Sequence, residues 1–261
     1  MNARHGTPLA TRSPPVVMLT GWGSTARVFD GLIDALASGA DATELAVRAA
    51  ALDFSEAPQD ADPEAVIAWA LDALLREVPP GAVLVGWSLG GALAIRFAAR
   101  HPGRVAALAC IATNPCFCAR PDWGTGMPER DFAAFRDAYH ANPDAHLGRF
   151  AALQAVGDAK AVVVRRALRD ARPDVHRTTQ FGPALEVLAA LDLREDLARI
   201  DVPVLHVLGD KDPLVSVTLA ERLAALQTDL QAMRLHVLST ASAYDALVAE
   251  GDRYEDHGRL L

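Results

Sequence analysis

The sequence predicts an α/β fold: a mostly parallel sheet flanked by helices, with a helical segment inserted into it. Three observations carry this expectation. Short apolar runs alternate with helical stretches from residue 16 to residue 111, an order that lays parallel strands side by side beneath helices on both faces. The alternation stops near residue 115, yields to helical periodicity until about 195, and then resumes. Composition agrees, because 51% of the 261 residues are hydrophobic but only 6% aromatic, which favours aliphatic strands under Ala- and Leu-rich helices. A chain this long and apolar buries a sizeable core and is not a disordered segment. The predicted core comprises residues 1–114 and 196–261, and the insertion residues 115–195.

Each element has its own signal. Val16-Val17-Met18-Leu19-Thr20, between Pro15 and Gly21, reads as a buried strand. A helical stretch follows from about Ala26 to Ala37, then a weaker strand near Leu45 to Leu52. Residues 63–77 place apolar side chains at helical spacing behind Pro63, which suits a first turn, and Pro79-Pro80-Gly81 ends them. Ala82 to Val85 reads as a fully buried strand, Gly90 to Arg100 as an Ala-rich helix, and Val105 to Ile111 as the next strand. In the insertion, helices are expected at Asp131–Tyr139, Leu147–Val156, Ala159–Asp170 and Pro183–Leu191. Strand, helix and strand then return at Val202–Leu208, Leu219–Leu226 and Arg234–Leu238.

Charge and cysteines exclude several classes. With 25 basic and 33 acidic side chains the net charge is −8, which argues against a nucleic-acid binder. No run approaches the roughly eighteen apolar residues of a membrane span, and the first fifteen residues lack the apolar stretch of a signal peptide. Cys110, Cys116 and Cys118 are odd in number and clustered, which fits no disulfide framework and points to a reducing compartment. The Cys116–Cys118 pair has no second ligand pair nearby, so the three are read as small buried thiols and not as a zinc site. A soluble, cytoplasmic, monomeric protein is expected.

The strongest chemical signal is Gly86-Trp87-Ser88-Leu89-Gly90-Gly91, between a strand and a helix. G-x-S-x-G in that context is a nucleophile elbow: small residues permit a tight turn that lifts the serine hydroxyl off the sheet edge, above a helix N-terminus that favours negative charge. Ser88 is thus the expected nucleophile. The backbone N–H of Leu89, the next residue, is one expected oxyanion donor. The other is the Trp22 N–H, since Gly21-Trp22-Gly23-Ser24 lies just past the first strand. Leu208-Gly209-Asp210-Lys211-Asp212-Pro213 ends a later strand with two carboxylates; Asp212 is the expected acid that orients the base, with Asp210 as the alternative.

Four stretches resemble the α/β-hydrolases, and within them the pimeloyl-acyl-carrier-protein methyl ester esterases of biotin synthesis. They are Leu19-Thr20-Gly21-Trp22-Gly23, Leu84 to Gly91, Asn114-Pro115-Cys116-Phe117-Cys118-Ala119-Arg120, and Arg149-Phe150-Ala151-Ala152-Leu153-Gln154. The resemblance implies an α/β-hydrolase fold whose insertion is a lid, and hydrolysis of a methyl ester carried on pimeloyl-acyl-carrier protein, without metal or cofactor. It implies that Trp22, Trp87 and Phe150 line an acyl channel and that Arg149 and Arg166 dock the acidic carrier protein. Charge is consistent with docking: residues 146–177 hold seven cations against three anions, a net +4, in an otherwise acidic chain.

The resemblance breaks at the general base. The family carries a histidine just after the last strand, where this chain reads Thr240-Ala241-Ser242-Ala243-Tyr244-Asp245, and a serine has no pKa near neutrality with which to shuttle a proton. The chain also lacks the usual Pro-Gly-x-Gly loop after the second strand, having Leu52-Asp53-Phe54-Ser55. His236, within a predicted strand, and His257, beyond it, are the remaining candidates for the base. Three explanations stand side by side: a remote histidine serves, the protein is a non-catalytic relative that binds acyl carriers, or a shifted reading frame has altered the charged stretch from Tyr244 to Leu261.

Overall fold

The computed structural model describes residues 13–38, 46–58, 61–226 and 233–238, the last segment as backbone alone. Six strands form one parallel sheet: β1 (Val16–Leu19), β2 (Val47–Ala50), β3 (Ala82–Trp87), β4 (Val105–Ile111), β5 (Val204–Gly209) and β6 (Met233–Leu238), in spatial order β2-β1-β3-β4-β5-β6. The chain runs from β1 outward to the β2 edge and returns to β3 on the other side of β1. That reversal opens a crevice at the carboxyl ends of β1 and β3, where open α/β sheets bind ligands.

The helices follow from the apolar patterning. Among the described residues, α1 (Asp30–Ser38) and the turn before it cover one side of β1 and β3, packing Phe29, Leu32, Ile33 and Leu36 against Val16, Met18, Val83 and Val85. On the other side α2 (Pro63–Glu77) and α3 (Leu89–Arg100) share the main core with Val17, Leu19 and Leu84, joined by α8 (Arg194–Arg199) and α9 (Leu219–Leu226). Helix α2 has the predicted bounds because Asp62 caps it, its carboxylate accepting the Ala65 N–H at 2.9 Å, and Pro63 occupies its first turn. Between β4 and β5 stand α4 (Glu129–Ala141), α5 (Pro143–Leu153), α6 (Ala161–Asp170), a 3₁₀ stretch (Val175–Phe181), α7 (Gly182–Ala190) and then α8.

Several boundaries moved. The stretch expected as one helix over 26–37 divides into a 3₁₀ turn, Ala26–Phe29, and α1. The strand expected over 45–52 pairs at 47–50; among the described residues β2 is an edge strand with Arg48 exposed and β1 as its neighbour. Helix α8 and the 3₁₀ stretch were not foreseen, being too short or too irregular in pattern to show a period.

A buried ion pair ties the helix after the predicted elbow to the segment leading into β5. Arg96 Nε lies 2.8 Å from Asp196 Oδ2, both side chains being nearly inaccessible, and an Arg96 NH₂ group donates to the Asp192 carbonyl at 3.0 Å. Burial raises the Asp196 carboxyl above its ordinary value despite the opposing Arg96 charge, the mark of a pair whose desolvation is incompletely repaid. Asp196→Ala is therefore expected to cost about 3–5 kcal/mol in urea unfolding, by stranding Arg96, whereas the double variant Arg96→Met/Asp196→Leu stays near wild type.

Candidate active site

The predicted elbow forms where β3 meets α3. Ser88 has φ +52° and ψ −114°, a left-handed backbone that costs a non-glycine residue about 1–3 kcal/mol unless its surroundings hold it. They do so here. The Ser88 N–H donates to the Ile111 carbonyl at 2.8 Å, and the Ser88 carbonyl accepts the Ala92 N–H at 3.0 Å. The first turn of α3 sits hard against the end of β1: a Cβ on Gly90 would come within 2.2 Å of the Leu19 carbonyl oxygen, so no larger residue fits.

The Gly21-Trp22 backbone passes beside the same serine. A Cβ on Gly21 would meet Trp87 at 3.0 Å and the Ser88 Cβ at 3.4 Å. Among the described residues the backbone N–H groups of Trp22 and Leu89 have no hydrogen-bond acceptor, and both belong to loops or first turns next to Ser88. Two free donors beside a raised hydroxyl suit a developing oxyanion. The Trp22 side chain is anchored separately. Its indole N–H donates to the Phe181 carbonyl at 2.9 Å, and its ring meets Tyr139 and Phe150 edge-on at 5.2 Å and Phe135 at a tilt at 5.4 Å.

Asp212 and Ser88 line one cavity of about 180 Å³. Asp212 Oδ1 accepts the N–H groups of Leu214 at 2.8 Å and Val215 at 3.0 Å, fixing the carboxylate, while burial raises its pKa above the ordinary value and those two bonds oppose the rise. Asp210, the alternative, is exposed and lines a neighbouring cavity in place of this one. The rest of the wall is apolar. Trp22, Trp87 and Phe150 all line it, and with them come Phe117, Phe135, Leu185 and Leu188, which sequence reasoning missed. Helix α6 contributes Val164 and Leu168, an i, i+4 pair that helical spacing could have revealed. Among the described residues, besides Ser88, Asp212 and the Trp22 and Trp87 indoles, the wall has one hydrogen-bonding side chain, Gln154, whose amide donates to the Phe150 carbonyl at 3.3 Å.

No histidine lines this cavity among the described residues. His101 caps the end of α3, His206 is buried in β5, and His140, His146 and His176 belong to the inserted segment. His236 lies on β6, whose backbone alone is described, and Ser242 and His257 lie outside the described residues. Within the described residues no group of three His, Cys, Asp or Glu side chains could hold a metal ion. Cys110 and Cys116 are buried and Cys118 half-buried; burial pushes their thiols up to about 12, 11 and 11, which makes them poor nucleophiles.

The arginines expected to dock a carrier protein are on the outer surface of the inserted helices. Arg149 is exposed on α5, and Arg166, 77% exposed on α6, lies 3.8 Å from Asp170. Between these helices runs an open groove of about 430 Å³ lined by Arg165, Arg166, Arg169 and Arg172, with Arg172 paired to Asp144 at 2.5 Å.

This fold and this elbow define an α/β-hydrolase, and the chain belongs to the alpha/beta hydrolase fold family, whose model matches residues 14–245. More particularly, it is 38% identical to a pimeloyl-[acyl-carrier protein] methyl ester esterase from Aromatoleum aromaticum, over 85% of this chain and 88% of that protein. A protein of the same name from Methylococcus capsulatus is 33% identical over 86% of each. Among solved structures, an esterase from Exiguobacterium antarcticum superposes with a TM-score of 0.68 at 19% identity, covering 91% of this chain and 90% of that one, a likeness of fold. No described helix is long and apolar enough to cross a membrane.

Behind Trp22, His146 is buried with both ring nitrogens unpartnered, its ring 4.4 Å from that of Phe135. Burial, and secondarily the Arg149 charge, lower its pKa below the usual 6.5. The native imidazole stays neutral while the unfolded chain takes up a proton, so stability present above about pH 6.5 is lost as pH falls through the depressed native value. His146→Phe is expected to shrink the loss of unfolding free energy between pH 7 and pH 5, measured by urea denaturation at each pH.

Proposed function

We propose that this chain is a serine carboxylesterase that hydrolyses the methyl ester of pimeloyl-acyl-carrier protein in biotin synthesis, releasing methanol and freeing the distal carboxylate. The observation that carries this reading is Ser88, raised on a left-handed elbow into an apolar cavity shared with Asp212, in a chain 38% identical to a protein of that name. Ser88 Oγ attacks the ester carbonyl and gives its proton to a base. The tetrahedral oxygen is held by the N–H groups of Leu89 and Trp22. The methoxy group leaves with the proton as methanol, and water then attacks the acyl-serine, restoring Ser88 and releasing the acid. Asp212 orients the base. The acyl chain lies along Trp22, Trp87 and Phe150, and the inserted helices 115–195 serve as its lid over a core of 1–114 and 196–261. Neither metal nor cofactor is needed for this chemistry, and the catalytic unit is a cytoplasmic monomer.

Arg149 and Arg166 present positive charge to the acidic carrier protein, which the −8 chain as a whole would repel. The double reversal Arg149→Glu/Arg166→Glu is expected to lower kcat/KM on the carrier-bound ester about 10–100-fold while sparing a short p-nitrophenyl ester. Equal loss on both substrates would refute docking.

A second reading, a catalytically impaired binder of acyl carriers, is favoured by Ser242 at the family's histidine position. Fluorophosphonate labelling separates the two. An esterase labels at Ser88, and Ser88→Ala loses turnover by about 10³-fold or more; an inert Ser88 supports the binder. Ser242→His is expected to raise kcat about 10²–10⁴-fold, the increment of a positioned general base. No gain in a chain that does label at Ser88 would assign the base to a histidine already present, His236 or His257. Rescue of biotin-requiring cells that lack their own esterase distinguishes this substrate from those of a general short-chain carboxylesterase.

A further inference from the structure

Past the end of β4 the backbone does something unusual. Ala112 takes φ +46°, and it and Ser88 are the two non-glycine residues with positive φ among those described. Both line the cavity. The Ala112 N–H donates to the Val207 carbonyl of β5 at 2.8 Å, pinning the turn to the sheet. Its effect is to send Thr113, only 1% exposed, beneath the elbow.

There the Thr113 hydroxyl lies between two carbonyl oxygens, 3.1 Å from that of Ile111 and 3.4 Å from that of Ser88. The Ile111 oxygen is also the acceptor of the Ser88 N–H. The approach depends on Gly91, where a Cβ would come within 2.1 Å of Thr113 Oγ1. One side chain therefore touches the acceptor that fixes the elbow from before, the carbonyl that leaves it, and the first turn of α3.

We propose that Thr113 is a positioning residue that aims the oxyanion donor. The Ser88 carbonyl and the Leu89 N–H belong to one planar peptide and point in opposite directions across it. Drawing the oxygen toward Thr113 turns the N–H the other way, toward the cavity. The Ala92 N–H, at 3.0 Å, holds the same oxygen along the helix axis; the Thr113 hydroxyl, whose one proton is shared with the nearer Ile111 oxygen, adds a longer second contact from the turn after β4 that limits the swing of the plane about the first. The strained turn at Ala112 is what delivers that contact. This inference rests on Ser88 as nucleophile and Leu89 as oxyanion donor, but not on the identity of the ester.

The test is steady-state hydrolysis of p-nitrophenyl acetate by the full chain and its variants, with thermal unfolding as control. Thr113→Val removes the hydroxyl and keeps the shape; it is expected to lower kcat about 10–100-fold with KM within about twofold, because an oxyanion contact acts in the transition state. Thr113→Ser keeps the hydroxyl and is expected to remain within about threefold of wild type. Thr113→Ala gives the same readout if the valine variant does not fold. A hydroxyl-free variant with wild-type kcat overturns the proposal. So does equal loss in the serine and valine variants, which would assign the role to methyl packing, and so does a rise in KM alone. A wild-type chain that cleaves p-nitrophenyl acetate but not the pimeloyl carrier ester would sink the proposed substrate and leave Thr113 standing. One inert to both would sink the two together.

Discussion

The site depends on one constraint, the left-handed backbone of Ser88 between β3 and α3. Held elsewhere, the hydroxyl would lie against the sheet and the first N–H groups of α3 would point past any carbonyl it met. Keeping it in place takes parts from adjacent strands. β4 supplies the Ile111 carbonyl, β1 supplies the surface against which Gly90 packs, and β3 supplies the strand that ends there. The strand order β1-β3-β4-β5 is therefore itself a chemical arrangement. Each of the four brings one component to the same carboxyl edge: Gly21-Trp22, Ser88, Ala112-Thr113 and Asp212. Exchanging two strands would preserve the core and scatter the site.

Trp22 is one of the residues that join the inserted helices to this edge. Its indole is fixed to the Phe181 carbonyl, and the Phe181 N–H in turn donates to the Tyr139 hydroxyl oxygen at 3.1 Å. A displacement of α4 or of the 3₁₀ stretch must pull on Trp22, the residue proposed to offer the second oxyanion donor. Aromatic edge-to-face packing is well suited to that duty, because it resists rotation while tolerating small slides. The buried, unpartnered His146 in the same cluster sacrifices hydrogen bonds for shape, an arrangement stable only while the ring is neutral.

Much of this was legible in the sequence, and the limits have physical causes. The strand–elbow–helix stretch announced Ser88, because so tight a turn demands small residues at fixed spacing. The bounds of α2 were readable from Asp62, Pro63 and the prolines that follow. Asp212 could be separated from Asp210 only by burial, since both sit in the same turn and turn chemistry favours Asp at each. Thr113 carried no signal at all. Its importance comes from a positive φ at Ala112, and alanine gives no hint of a left-handed conformation that glycine or asparagine would have advertised. Phe135, Leu185 and Leu188 were invisible as wall residues for a different reason: apolar residues on amphipathic helices look alike whether they face a core or a cavity. The base left no such signal: where the resemblance leads one to expect a histidine the chain reads Thr240-Ala241-Ser242, which lies outside the described residues.

Helix α6 shows how the proposed esterase resolves an electrostatic conflict. A methyl ester on an acyl chain wants an apolar, water-poor cavity, while an acidic carrier wants positive charge, and the chain as a whole carries −8. Ten residues serve both demands. Val164 and Leu168 face the cavity, and Arg165, Arg166 and Arg169 line the outer groove one residue away. None of the helix is fully buried, and Val162 and Val163 stay 73% and 63% exposed beside the cations. So little burial leaves α6 with a small share of the folding energy, and segments of that kind open at low cost. On the proposed reading, carrier contact at the arginines would therefore act on the same helix whose inner face closes over the chain. On that reading docking and admission of the substrate would be one mechanical event, because at 1.5 Å rise per residue there is no length of helix over which they could be separated.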